Sequence, residues 1–137
     1  MKIINEFQTN LDRALREIEP DYSRYDGLII GGTWPGENDE AIVMSCLNEY
    51  REARKKGIPI LGICLGMQVI GLHNRWELKK LPQRKVGIYP VSGWWGNTYE
   101  TFWHDYTVGP DFYREENVIG VQFHPEYESR KDKPHKL

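Results

Sequence analysis

Of the two cysteines in the 137 residues, one stands where a nucleophile would. Gly62-Ile63-Cys64-Leu65-Gly66 has the spacing of a nucleophile elbow, in which a sharp strand-to-helix turn lifts one side chain above a sheet. Glycines flank such a turn because side chains there would collide with the strand and the helix that meet at it. The required context is present, with apolar Ile58-Pro59-Ile60-Leu61 before the turn and helical periodicity through Met67, Val69 and Ile70 after it. At a helix amino end, Cys64 would also face unpaired N–H groups and the positive end of the dipole, both of which favour a thiolate. The same pattern suits a buried structural cysteine in a glycine-rich turn. Cys46 falls on the apolar stripe of a helix and reads as core.

A thiol nucleophile needs a base, and the base needs an orienter. His124-Pro125-Glu126 follows a strand expected to be buried, so the imidazole would emerge at the strand's carboxyl end, where parallel α/β sheets put their sites. Glu126 could accept a hydrogen bond from that ring and fix its tautomer. His73, His104 and His135 compete for the base role, and of these only His104 is closely followed by a carboxylate, Asp105. Acyl transfer also needs donors for the developing oxyanion. Leu65 would offer one backbone N–H, and the Gly31-Gly32-Thr33 turn the other, through Gly32; a plain strand-ending turn is the alternative for that stretch.

The elements that must position these groups are legible as patterns. Phe7, Leu11, Leu15 and Ile18 lie on one helical stripe, predicting an amphipathic helix over 6–18. Leu28-Ile29-Ile30 is a short buried strand ending at Gly31. Asn38 or Asp39 would cap a second helix with the stripe Ile42, Val43, Cys46, Leu47 and Tyr50, ending in Arg54, Lys55 and Lys56 before Gly57. Strand, helix, strand, helix implies parallel pairing and a three-layer α/β sandwich in one domain, 1–137. Residues 73–85 read as a polar and basic surface excursion, solvated or docking, with a short strand from Val86 to Val91. Nine of the 17 aromatics lie from Tyr89 to Tyr113, which predicts an antiparallel flap over the sheet edge or an aromatic wall facing a ligand. Asn117 to Phe123 is a final strand, and a polar tail follows at 127–137.

Composition narrows the class of partner. Eighteen Lys plus Arg against 20 Asp plus Glu give no global field to attract nucleic acid or an anionic membrane. No run of about 18 apolar residues and no signal-like apolar segment near Met1 is present, so a cytoplasmic protein is expected. There the two cysteines would stay thiols, and they have no zinc-ligand spacing.

GICLGMQ at 62–68 and GVQFHPE at 120–126 together resemble the two signatures of the class I (triad) glutamine amidotransferases, in the expected order. PILGICLGMQ and FHPEYESRKDKPHKL resemble the glutaminase domain of CTP synthase, and DGLIIGG is similar to its strand leading into the oxyanion glycines. The resemblance implies a flavodoxin-like fold with a mostly parallel sheet. It implies Cys64 as nucleophile on a side-chain carboxamide, His124 as base and then acid to departing ammonia, and Glu126 as orienter. Gly32 and Leu65 would bind the oxyanion, with Gly31 and Gln68 at the bound glutamine. A γ-glutamyl thioester would form and be hydrolysed with neither metal nor cofactor, and ammonia would pass to a separate synthetase or be released.

Three departures from the family pattern shape the expectation. The chain is short for the family, so a trimmed sheet would lean on a partner protein or a second copy. No phosphate loop for ATP is present. Asp105 stands where CTP synthase carries an arginine for the glutamine α-carboxylate; its charge would repel that carboxylate or hold the α-ammonium, and Arg75, Arg84 or Arg114 could supply the missing cation. Rival readings are therefore a hydrolase of γ-glutamyl amides or peptides, and a catalytically silent binding or regulatory homologue.

Overall fold

The computed structural model describes residues 2–4, 27–32 and 40–127. The helix expected over 6–18, the caps at Asn38 and Asp39 and most of the polar tail lie outside the described residues. The elements in chain order are β1 (Lys2–Ile4), β2 (Leu28–Ile30), α1 (Glu40–Lys56), β3 (Ile60–Ile63) and α2 (Leu65–His73). They are followed by β4 (Lys79–Gly93), β5 (Gly96–Thr107), β6 (Phe112–Glu115) and β7 (Val118–Val121).

Among the described residues, five strands form the main sheet in the order β1-β2-β3-β7-β6. The first four run parallel and only β6 is antiparallel, paired to β7. Strands buried on both faces carry apolar residues without alternation, which is why Leu28, Ile29 and Ile30 are all at most 3% exposed. One face packs on helices: Leu28, Ile30, Ile60 and Val118 meet Cys46, Leu47, Tyr50 and Ala53 of α1 and Leu65, Val69 and Ile70 of α2. The other packs Ile29, Ile63, Val121 and Phe123 against Val91 and Phe102 of the β4–β5 hairpin. The fold is an α/β sandwich on a mostly parallel sheet, with the hairpin as the described layer on the second face.

The hairpin differs from expectation in two respects. Lys79 and Lys80 are not in a surface excursion: they begin β4, paired with Thr107 and Tyr106, before an irregularity that spans Leu81 to Arg84. A two-stranded ribbon leaves one face to solvent, so its polar, basic sequence resembles a loop while its backbone is paired. The aromatic segment covers a face of the sheet as well as forming part of its edge. Phe102 enters the core, while Phe112 and Tyr113 belong to β6, the edge strand beside β7.

Two glycines decide whether β3 and α2 can meet. A Cβ on Gly66 would stand 2.3 Å from the carbonyl oxygen of Ile30, and one on Gly62 would stand 2.7 Å from the backbone of Gly66. Both contacts are with backbone, which cannot rotate away. Gly66→Ala is therefore expected to destabilise the fold by about 2–3 kcal/mol, the scale of core overpacking, as read from denaturant unfolding. A loss within experimental error would show that β2 and α2 are less tightly apposed than this geometry requires.

Candidate active site

The site begins with a backbone conformation. Cys64 adopts φ 57° and ψ −102°, a positive φ that β-carbon-bearing residues rarely take and that costs on the order of 1–3 kcal/mol. Its neighbours hold it there. The Cys64 N–H donates to the Val121 carbonyl at 2.8 Å, tying the turn to β7, and its carbonyl accepts from the Gln68 N–H at 3.2 Å, starting α2. Cys64 is thus the residue at which the strand stops and the helix begins.

The parallel register brings the other groups to the same end of the sheet. Ile30 pairs with Gly62 and Ile63 with Val121. Gly32 follows Ile30 by two residues as Cys64 follows Gly62, and His124 lies three residues beyond Val121. Gly31 and Gly32 are buried at the end of β2, and Leu65 opens α2. The hairpin fixes His124 in turn, because its N–H donates to the Thr101 carbonyl of β5 at 2.8 Å.

His124 is the centre of the polar cluster. Its Nδ1–H donates to Glu126 Oε2 at 3.0 Å, its ring stacks on Tyr127 with centroids 4.7 Å apart, and the residue has no exposed surface. Burial alone would lower its pKa, but the nearby Cys64 sulfur and Glu126 carboxylate, which favour the charged ring, outweigh it and push the value up to about 10. The structure therefore pairs His124 with Glu126 at the same end of the sheet as the Cys64 turn, with the imidazolium form of the ring favoured.

The sulfur has two further neighbours that the sequence pattern does not single out. Sγ donates weakly to the Trp103 carbonyl of β5 at 3.7 Å and accepts from Gln122 Nε2 at 3.6 Å. Gln122 had a signal: a fully buried amide between apolar Val121 and Phe123 at a strand end requires a partner. Continuing the β7 alternation, it lies on the side where Gly120 meets Met67, facing α2. Gln68 is also buried, and its Nε2 donates to the Tyr106 carbonyl at 3.0 Å and to Gln122 Oε1 at 3.5 Å.

The second histidine–acid candidate is arranged otherwise. His104 Nδ1 donates to the Tyr106 carbonyl at 2.7 Å, while the Asp105 carboxylate is gripped by Arg84 through two contacts of 2.9 and 3.2 Å. The Arg84 hydrogen bond holds the Asp105 pKa below its usual value. Burial lowers the His104 pKa and favours its neutral form, opposed by the Tyr106 hydrogen bond. No cluster of metal-ligating side chains occurs among the described residues, and no helix there is long and apolar enough to cross a membrane.

The fold has solved counterparts. A Thermoplasma acidophilum protein assigned as one subunit of GMP synthase superimposes with a TM-score of 0.71 at 21% identity, covering 96% of this chain and 87% of that one. A glutamine amidotransferase from Thermotoga maritima gives 0.66 at 17% identity, covering 91% and 74%. Residues 4–88 match the family described as Glutamine amidotransferase class-I, and the chain belongs to that family. The match includes Cys64 and ends before His124 and Glu126.

Curated relatives are similar over parts of their length. CTP synthase of Ruminiclostridium cellulolyticum is 28% identical over 178 residues, 82% of this chain and 32% of that protein. The HisH subunit of imidazole glycerol phosphate synthase from Moorella thermoacetica is 30% identical over 129 residues, 59% of each. The chain thus spans about a third of that CTP synthase. Because the 178-residue alignment exceeds the 137 residues of this chain, the relative carries internal segments absent here.

Two measurements check the site's physical description. Cys64→Gly accommodates the positive φ and Cys64→Ala does not, so the glycine variant should be the more stable by about 1 kcal/mol in denaturant unfolding. Equal stabilities would mean an unstrained turn. For pH, a folded-state pKa lowered from 6.5, as for His104, leaves its contribution intact above that value and removes it as pH falls. His124 has the opposite sign: its contribution is full below 6.5 and disappears as pH rises through about 10. Between pH 7 and 5 the wild type should lose melting temperature more steeply than His104→Gln, and parallel curves would remove His104 as a source of acid sensitivity.

Proposed function

We propose that this chain hydrolyses the side-chain amide of glutamine, with Cys64 as nucleophile, His124 as base and acid, and Glu126 as orienter. The observation that carries the reading is the buried His124 imidazole, paired with the Glu126 carboxylate at the end of the sheet where Cys64 stands on a strained turn. With the proton shared by the pair resting on Nε2 of His124, the Cys64 thiolate attacks the carboxamide carbon. The N–H groups of Gly32 and Leu65 receive the oxyanion. The tetrahedral adduct collapses as the carbon–nitrogen bond breaks and the imidazolium gives its proton to the departing ammonia. Water, deprotonated by the same imidazole, then cleaves the γ-glutamyl thioester to glutamate and regenerates the thiol. The chemistry uses protein groups throughout.

Two relatives named as synthase subunits, one of imidazole glycerol phosphate synthase and one of GMP synthase, support delivery of the ammonia to a separate synthetase. A preference for γ-glutamyl amides over free glutamine had its argument in the charge of Asp105 and in the aromatic wall. Bidentate pairing with Arg84 offsets the Asp105 charge, which supports free glutamine as the substrate.

Ammonia release from glutamine tests the proposal. Cys64→Ala should reduce it at least about a thousandfold, and a glutamine-mimicking electrophile should label Cys64 but not Cys46, which packs in the helix-side core away from the turn. Undiminished release by Cys64→Ala would refute the assignment. A wild-type protein that neither releases ammonia nor takes the label would favour the silent binding homologue.

A further inference from the structure

The amide of Gln122 occupies a position that the three-residue relay leaves unexplained. It has no exposed surface, and its Nε2 approaches Cys64 Sγ at 3.6 Å. An amide can be turned either way, so which end faces the sulfur must be fixed by its surroundings. A carbonyl can only accept, and the Tyr106 carbonyl receives Nδ1–H of His104 at 2.7 Å and Nε2–H of Gln68 at 3.0 Å. With its nitrogen committed there, Gln68 also donates to Gln122 Oε1 at 3.5 Å. Gln122 therefore turns its oxygen to Gln68 and its N–H to the sulfur. One main-chain carbonyl of β5 sets the sense of the whole sequence.

The two contacts at sulfur act in opposite directions. The Trp103 carbonyl, 3.7 Å away, accepts from the thiol and repels the thiolate. The Gln122 N–H donates to either form and more strongly to the anion, because hydrogen bonds to a charged acceptor are about twice as strong as neutral ones. We infer that Gln122 is a further catalytic residue, the side-chain donor that stabilises the Cys64 thiolate both before attack and when the thioester releases it. Gln68 is its positioning residue. This inference rests on the reading of Cys64 as nucleophile and assigns to an uncharged residue part of the work of ionising it.

The test follows the sulfur itself. Carbamidomethylation of Cys64 by iodoacetamide, measured across pH on the Cys64 peptide by mass spectrometry, reports the thiolate fraction whether or not glutamine is turned over. Gln122→Met fills similar space without a donor. Its reactivity midpoint should move up by about one pH unit relative to wild type, the scale of one hydrogen bond to a charged group. Its kcat for glutamine should fall about tenfold with KM within about twofold. Gln122→Glu keeps the acceptor for Gln68 but puts negative charge at the sulfur, so its midpoint should rise further; it also serves if the methionine variant fails to fold, as judged by near-ultraviolet circular dichroism. A folded variant whose midpoint coincides with wild type overturns the role of Gln122 while leaving the nucleophile in place. A wild type without glutamine turnover contradicts the proposed reaction instead, and the alkylation profiles still decide the role of Gln122.

Discussion

The site depends on β3 passing into α2 with no connecting loop. The reversal takes place within one residue, Cys64, at a backbone conformation that side-chain-bearing residues avoid. It is possible because Gly62 and Gly66 let α2 approach β3 and the end of β2 more closely than any β-carbon would permit. The strain is offset by burial around the turn, with Ile63, Leu65, Met67 and Val69 at most 1% exposed. Rigid packing on every side converts an unfavourable dihedral into a defined direction for one sulfur atom.

The hairpin completes what the turn begins. Trp103 meets the sulfur, Thr101 the backbone of His124, and Tyr106 both His104 and Gln68, all through carbonyls of β5. A ribbon that would contribute little to an extended core thus supplies acceptors to four polar groups at the carboxyl end of the sheet. It also excludes water. The His124 and Glu126 side chains are 1% and 2% exposed, and electrostatic interactions in such surroundings are stronger than at a surface.

Local patterns made the parallel core and the cysteine turn legible. Short isoleucine-rich apolar runs at Leu28–Ile30 and Ile60–Ile63, the α1 stripe and the glycine spacing around Cys64 each have a short-range physical cause. The proximity of His124 to Glu126 followed from two residues of separation at a strand end. Lys79 and Lys80 resemble a loop in sequence because hydropathy reports burial, whereas their strand character comes from pairing with Tyr106 and Thr107 more than twenty residues away. The environments of Asp105 and Gln68 were equally hidden: Arg84 lies across the hairpin from one, and the other meets a backbone carbonyl that no side-chain pattern can announce.

The central claim is that sulfur, imidazole and carboxylate behave as one unit whose proton resides on the ring. Nitrogen-15 NMR of the His124 side chain, recorded across pH for wild type and Cys64→Ala, tests it most directly. The account predicts a doubly protonated ring persisting well above pH 6.5 in the wild type and giving up its proton at lower pH once the sulfur is removed. A ring that titrates near 6.5 in both proteins would contradict it.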